Sequence, residues 1–97
     1  MAGDIYDDGL LGPGGLQWYD ESVQQGEPHW ATYHDPGRTN LAGMVAYRLA
    51  ATTTGERAAW VWATWAPDES LSEQEGYAES RGGAMLAAAR ALEVLRG

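Results

Sequence analysis

The chain contains no cysteine, no phenylalanine and no lysine, and Ile5 is its only isoleucine. Without cysteine there can be no disulfide, no thiol nucleophile and no cysteine-ligated zinc. Without phenylalanine, the bulk of a core has to come from five Trp and five Tyr, helped by Leu, Val and Met. Each buried aromatic removes roughly 150–250 Å² from water, so ten such side chains suffice for a small domain. With lysine missing, all six positive charges are arginines. Scarce Lys, Phe and Ile beside abundant Ala, Gly and Arg is what a GC-rich genome encodes, which points to a bacterial or phage source.

Long apolar runs are also missing. The longest mostly apolar stretch, residues 58–66, falls far short of the roughly 20 residues a membrane helix needs. The start, Met1-Ala2-Gly3-Asp4, has neither a basic region nor an apolar run after it, so no signal peptide and a cytoplasmic location are expected. No Gly-x-Ser-x-Gly, phosphate loop, dinucleotide fingerprint or calcium loop is present. His29, His34 and Asp35 lie close in sequence, but histidines five apart on a strand point to opposite faces, which argues against shared metal ligation. The adjacent pairs Asp7-Asp8, Asp20-Glu21 and Asp68-Glu69 fall on expected loops and read as solvated charge. The expectation is a chain that is not an enzyme and carries no cofactor or metal.

What the chain has in excess is negative charge, −8 over 97 residues, and it is unevenly spread. Residues 1–27 carry six carboxylates and no base, and residues 67–79 carry Asp68, Glu69, Glu73, Glu75 and Glu79, again with no base. The last residues, 80–97, are mildly basic through Arg81, Arg90 and Arg96. Such a molecule is repelled at long range by phosphate backbones and attracted to basic protein surfaces.

Local patterns give an order of elements. Residues 1–15 are rich in Gly and Asp and end in Gly12-Pro13-Gly14-Gly15, which predicts a flexible or loosely docked arm before a single domain over 16–97. Strands are expected at residues 16–21, 29–34, 41–53 and 57–66, with turns at 24–28, at Asp35-Pro36-Gly37 and at Thr54-Gly55-Glu56. Residues 67–79 are polar and predict a loop. Ser80 is a helix N-cap candidate, and Met85, Ala88, Leu92 and Leu95 recur at helical spacing to form one apolar face. The predicted fold is α+β, a three- to four-stranded antiparallel sheet with one C-terminal helix packed on one face.

Alternation along the strand at 57–66 places Trp60 and Trp62 on one face and Val61, Ala63 and Trp65 on the other. A chain without Phe uses tryptophan to fill space, yet tryptophans left exposed would anchor a protein interface. The sequence Trp60-Val61-Trp62, followed by Ser80-Arg81-Gly82-Gly83-Ala84-Met85 and Ala87-Ala88-Ala89-Arg90-Ala91-Leu92, resembles the end of a double-stranded-RNA-binding domain. Such a resemblance implies a sheet, then an Ala-rich helix whose basic opening grips phosphate. Here that opening keeps only Arg81, with Gly82 and Gly83 where lysines would stand. The order of strands and then a helix also resembles the partial RNase-H-like fold of HicB-type antitoxins.

The favoured expectation is a non-catalytic acidic module that binds a basic or nucleic-acid-binding host protein through Asp68, Glu69, Glu73, Glu75, Trp60 and Trp62. Its concrete form is a phage or mobile-element inhibitor of the anti-CRISPR or anti-restriction kind. A small nucleic-acid-binding or antitoxin-like regulator and a homo-oligomeric assembly protein are the alternatives, direct nucleic-acid contact being disfavoured by the charge.

Overall fold

The computed structural model describes residues 9–67 and 74–96, the side chain of Arg96 excepted. The strands are β1 (Gly9–Leu11), β2 (Gln17–Asp20), β3 (His29–Tyr33), β4 (Leu41–Thr52), β5 (Gly55–Thr64) and β6 (Gln74–Ala78). A one-turn helix α1 (Ser22–Gln25) joins β2 to β3, and the long helix α2 (Arg81–Arg96) follows β6. The strands form one antiparallel meander in the order β1-β2-β3-β4-β5-β6.

The expected count of three to four strands is therefore too low: the sheet has six. The two additional strands are its edges. β1 lies within the Gly-rich arm, and its Leu10 pairs with Trp18. β6 lies within the stretch expected to be a loop, and its Gly76 pairs with Trp62. Both are short and polar or glycine-bearing, as edge strands commonly are. Gly76 has a specific reason to be there. A Cβ at this position would meet the Trp62 indole at 2.9 Å, so glycine lets the ring lie against the β6 backbone.

Connections follow from local chemistry. A 3-10 turn at Pro13–Gly15 links β1 to β2, closed by the Gly12 N–H donating to the Leu16 carbonyl at 2.8 Å. β4 and β5 form a long hairpin closed across the Thr52–Gly55 pair. Gly55 at φ 111° takes a backbone conformation that side chains resist. The Ser80 hydroxyl accepts the Gly83 N–H at 3.0 Å, which caps α2 as the sequence predicts.

The register decides what each sheet face presents. Trp18, Trp30, Val45, Trp60 and Trp62 share one face, since Asp20 pairs with Trp30, Trp30 with Val45 and Val45 with Trp62. Helix α2 lies on that face. Trp18, Val45, Ala84, Met85 and Ala88 make the buried core, with Leu16, Trp30, Trp60, Trp62 and Ala78 packed around them. Small residues on α2 let it approach the sheet closely, while Met85 and Leu92, both fully buried, each contribute on the order of 1.5–3 kcal/mol of apolar burial. Arg81, at the start of α2, stacks 4.9 Å over the Trp30 ring.

Candidate functional site

The face opposite α2 is built from three adjacent strands. Met44 pairs with Ala63 and Ala63 with Glu75; Ala46 pairs with Val61 and Val61 with Tyr77; Arg48 pairs with Ala59. The middle strand, β5, thus offers Ala59, Val61 and Ala63, which are short. Its neighbours offer Met44 and Arg48 on one side and Glu75 and Tyr77 on the other, which are tall. Strands two apart lie about 10 Å from each other, so low residues between tall ones leave a trough. The resulting groove encloses about 690 Å³ and is bounded by Met44, Arg48, Val61, Ala63, Trp65, Glu75 and Tyr77, with Trp62 and Gly76 among its remaining lining residues.

The groove walls are held in place. The Thr53 N–H donates to the Tyr77 hydroxyl at 3.4 Å, which lays the ring along the sheet toward the β4–β5 turn. The Trp65 N–H donates to the Ala42 carbonyl at 2.8 Å, and the Trp65 carbonyl lies 2.8 Å from His34 Nε2. Asn40 Nδ2 donates to the Pro67 carbonyl at 3.0 Å. The segment after β5 is therefore tied to the loop between β3 and β4.

That loop is organised by Asp35, whose carboxylate accepts the Thr39 hydroxyl at 2.7 Å and the N–H groups of Thr39 and Asn40 at 3.0 and 2.8 Å. The Thr39 hydroxyl foremost, opposed by desolvation and helped by these N–H groups, holds the carboxyl below the ordinary 3.8. A carboxylate whose folded value is depressed stabilises the fold above the unfolded value, and this contribution is lost as pH falls through the folded value. Asp35→Asn is therefore expected to lower Tm at pH 7, and its gap to the wild type to shrink as the pH falls below 3.8. Thermal melts followed by circular dichroism read this directly, and a gap that stays constant down to pH 2 would contradict it.

Charges around the groove are unequally compensated. Arg48 forms an ion pair with Glu27, and Glu27 also lies 3.5 Å from His29 Nδ1. The Arg48 guanidinium first, and His29 less, hold the Glu27 carboxyl below its usual value. Arg57 is paired with Glu79 in the same manner. Glu75, exposed on the groove wall, has no ion-pair partner among the described residues. Farther along the same face, the Tyr19 and Tyr33 rings stand 6.2 Å apart with the Arg38 guanidinium 4.4 Å above Tyr19. The Tyr33 hydroxyl donates to Glu21, and burial, seconded by that carboxylate, pushes its pKa up to about 12.

The residues singled out from sequence are divided by the fold. Trp60 and Trp62 stand on the helix-covered face, half-buried against the core. Glu75 stands on the opposite face, in the groove wall. Asp68, Glu69 and Glu73 lie outside the described residues. Of the other aromatic groups lining the groove, Trp65 belongs to the tryptophan set that the sequence brings forward but not to the expected contact residues, and Tyr77 belongs to neither. Trp65 is placed correctly by alternation along β5, whereas Tyr77 becomes visible only once β6 is known to be a strand. Among the described residues, no group of three or more His, Asp or Glu side chains is gathered as metal ligands, and no helix is long and apolar enough to cross a membrane. The chain matches no protein-family model, and no curated protein and no solved structure is significantly similar to it.

Proposed function

We propose that the chain is a non-catalytic protein-binding module that engages a basic surface of another protein through the sheet face opposite α2. The observation that carries this reading is the groove: two aromatic side chains, Trp65 and Tyr77, and a carboxylate, Glu75, with no ion-pair partner among the described residues, on one preformed surface. Aromatic groups held in a concave apolar setting are the usual anchors of protein interfaces. The net charge of −8 and the acidic stretch between Ala66 and Ser80 favour encounter with a cationic partner and disfavour nucleic acid. A nucleic-acid-binding protein of a host defence system is a partner of that chemistry, and an inhibitor of the anti-CRISPR or anti-restriction kind is the concrete form of the reading.

The test is recovery of partners by the tagged chain from a bacterial lysate, beside a variant in which Asp68, Glu69, Glu73 and Glu75 are all replaced by Lys. A stoichiometric protein retained by the wild type and lost at least 100-fold by the variant is the expected result. Nucleic acid recovered without protein, or a partner held equally by both, would overturn the reading.

A further inference from the structure

We infer that the groove is a receptor for an arginine side chain of the partner, seated with its guanidinium against Trp65 and paired with Glu75. The inference rests on the protein-binding reading above and gives it a chemical anchor.

The groove carries charged groups at both ends, and only one end is left uncompensated among the described residues. Along β4 and β6, the pairing of Met44 with Ala63 and Ala63 with Glu75 marks one end, and Arg48 opposite Ala59 marks the other. Arg48 is neutralised by Glu27, whereas the Glu75 carboxylate has no counterion among the described residues. A cationic head is therefore drawn to the Glu75 end, and the next residue on this face past Ala63 is Trp65. The floor beneath is Ala63 and Val61, which accepts the methylene stem of a long side chain. A stem lying on apolar surface with its charge at the rim is how such side chains are ordinarily accommodated.

Arginine fits better than lysine for two reasons. Its planar guanidinium stacks on aromatic faces, and its fork matches a carboxylate in a bidentate manner. An ammonium is a compact, strongly hydrated charge that gains less from a flat aromatic wall. The same chain already stacks guanidinium groups on rings in two places, Arg81 on Trp30 and Arg38 on Tyr19. Those arginines are its own; among the described residues no guanidinium lies over the Trp65 or Tyr77 ring.

The probe is an acetylated and amidated Gly-Arg-Gly-Arg-Gly peptide, compared with versions carrying Lys or uncharged citrulline in place of Arg. Binding is measured by calorimetry to the full-length wild type, to Glu75→Gln, to Trp65→Leu, and to Glu93→Gln as a control for diffuse attraction to an acidic protein. Glu93 lies on the exposed side of α2. The expected order is Arg above Lys above citrulline, with Glu75→Gln and Trp65→Leu each weakening the Arg peptide about tenfold and Glu93→Gln changing it less than twofold. Circular dichroism confirms that the variants fold, and Glu75→Gln, an exposed substitution, serves if Trp65→Leu does not. Equal weakening by Glu75→Gln and Glu93→Gln, equal affinity for the Arg and Lys peptides, or no binding at all would overturn the arginine site. The protein-binding reading would then stand or fall separately, on whether the tagged chain retains a stoichiometric protein partner.

Discussion

Replacing Trp18 by alanine is expected to cost about 3–5 kcal/mol and to leave the chain largely unfolded near physiological temperature. Trp18 is the largest fully buried side chain, with 0% of its surface exposed. It stands on β2 and reaches the core formed with Val45, Ala84, Met85 and Ala88. It therefore ties the β1–β2 edge of the sheet to α2, across a stretch where β2 holds β3 through only two register pairs. Gly12 is shaped around it, since a Cβ there would meet the indole at 2.8 Å. Removing the ring leaves a cavity beside Val45, Ala84, Met85 and Ala88, into which a packed core relaxes only in part. Trp18→Phe is expected to cost considerably less. It keeps a ring in the site, and the indole Nε1 it removes has no hydrogen-bond partner among the described residues. Urea titration followed by circular dichroism measures both variants, and an alanine variant within 1 kcal/mol of wild type would contradict the placement of Trp18 at the centre of the core.

The second large effect is on binding rather than on folding. Ala63→Arg is expected to weaken the partner complex at least 100-fold while moving Tm by only a few degrees. Ala63 lies on the groove floor between Met44 and Glu75 in the register. An arginine there fills the trough from within and neutralises Glu75, so the partner loses both the space and the charge. A factor of 100 corresponds to about 2.8 kcal/mol, a loss typical of a blocked interface anchor. The side chain projects from an open face, so the fold need not rearrange to admit it. The decisive comparison is with Val94→Arg on the exposed side of α2, which adds the same single charge away from the groove. If both variants weaken the complex equally, the effect is general electrostatics and the groove is not the contact.

Much of the architecture is legible in the sequence where local chemistry and tertiary packing agree. The alternation through Val45, Tyr47, Trp60 and Trp62 marks β4 and β5. Asp35-Pro36-Gly37 marks a turn, and Ser80 with the spacing of Met85, Ala88 and Leu92 marks α2. The edges are not legible. Gly9–Leu11 and Gln74–Ala78 carry too few β-favouring residues to announce themselves, and each becomes a strand because its neighbour presents a row of unpaired backbone groups and an aromatic ring to lie against. Gly76 in an acidic run reads as a loop residue until Trp62 is placed upon it.

The candidate site was legible only in part, for a related reason. A groove is a property of relative side-chain height across three strands, so it requires the register of β4, β5 and β6 together. Alternation separates Trp65 from Trp60 and Trp62, but both faces of β5 are apolar enough to take a helix. The choice was made by the other elements: Trp18, Trp30 and Val45 gather on the Trp60 face, and α2 follows them there. Glu75 was expected to matter as one acidic charge among several. The structure distinguishes it by setting it in one groove wall with Tyr77 and Trp65, without a counterion among the described residues.

The central claim is that partners bind on the open face and not on the helix face. The most direct measurement is the set of five tryptophan indole N–H resonances, recorded with and without the captured partner and assigned by single Trp→Phe variants. Only Trp65 belongs to the groove face, whereas Trp18, Trp30, Trp60 and Trp62 face the helix side. A shift or broadening confined to Trp65, with Trp18 and Trp30 unchanged, is the predicted result; an unmoved Trp65 beside displaced Trp30 or Trp60 would place the partner on the other face and contradict the account.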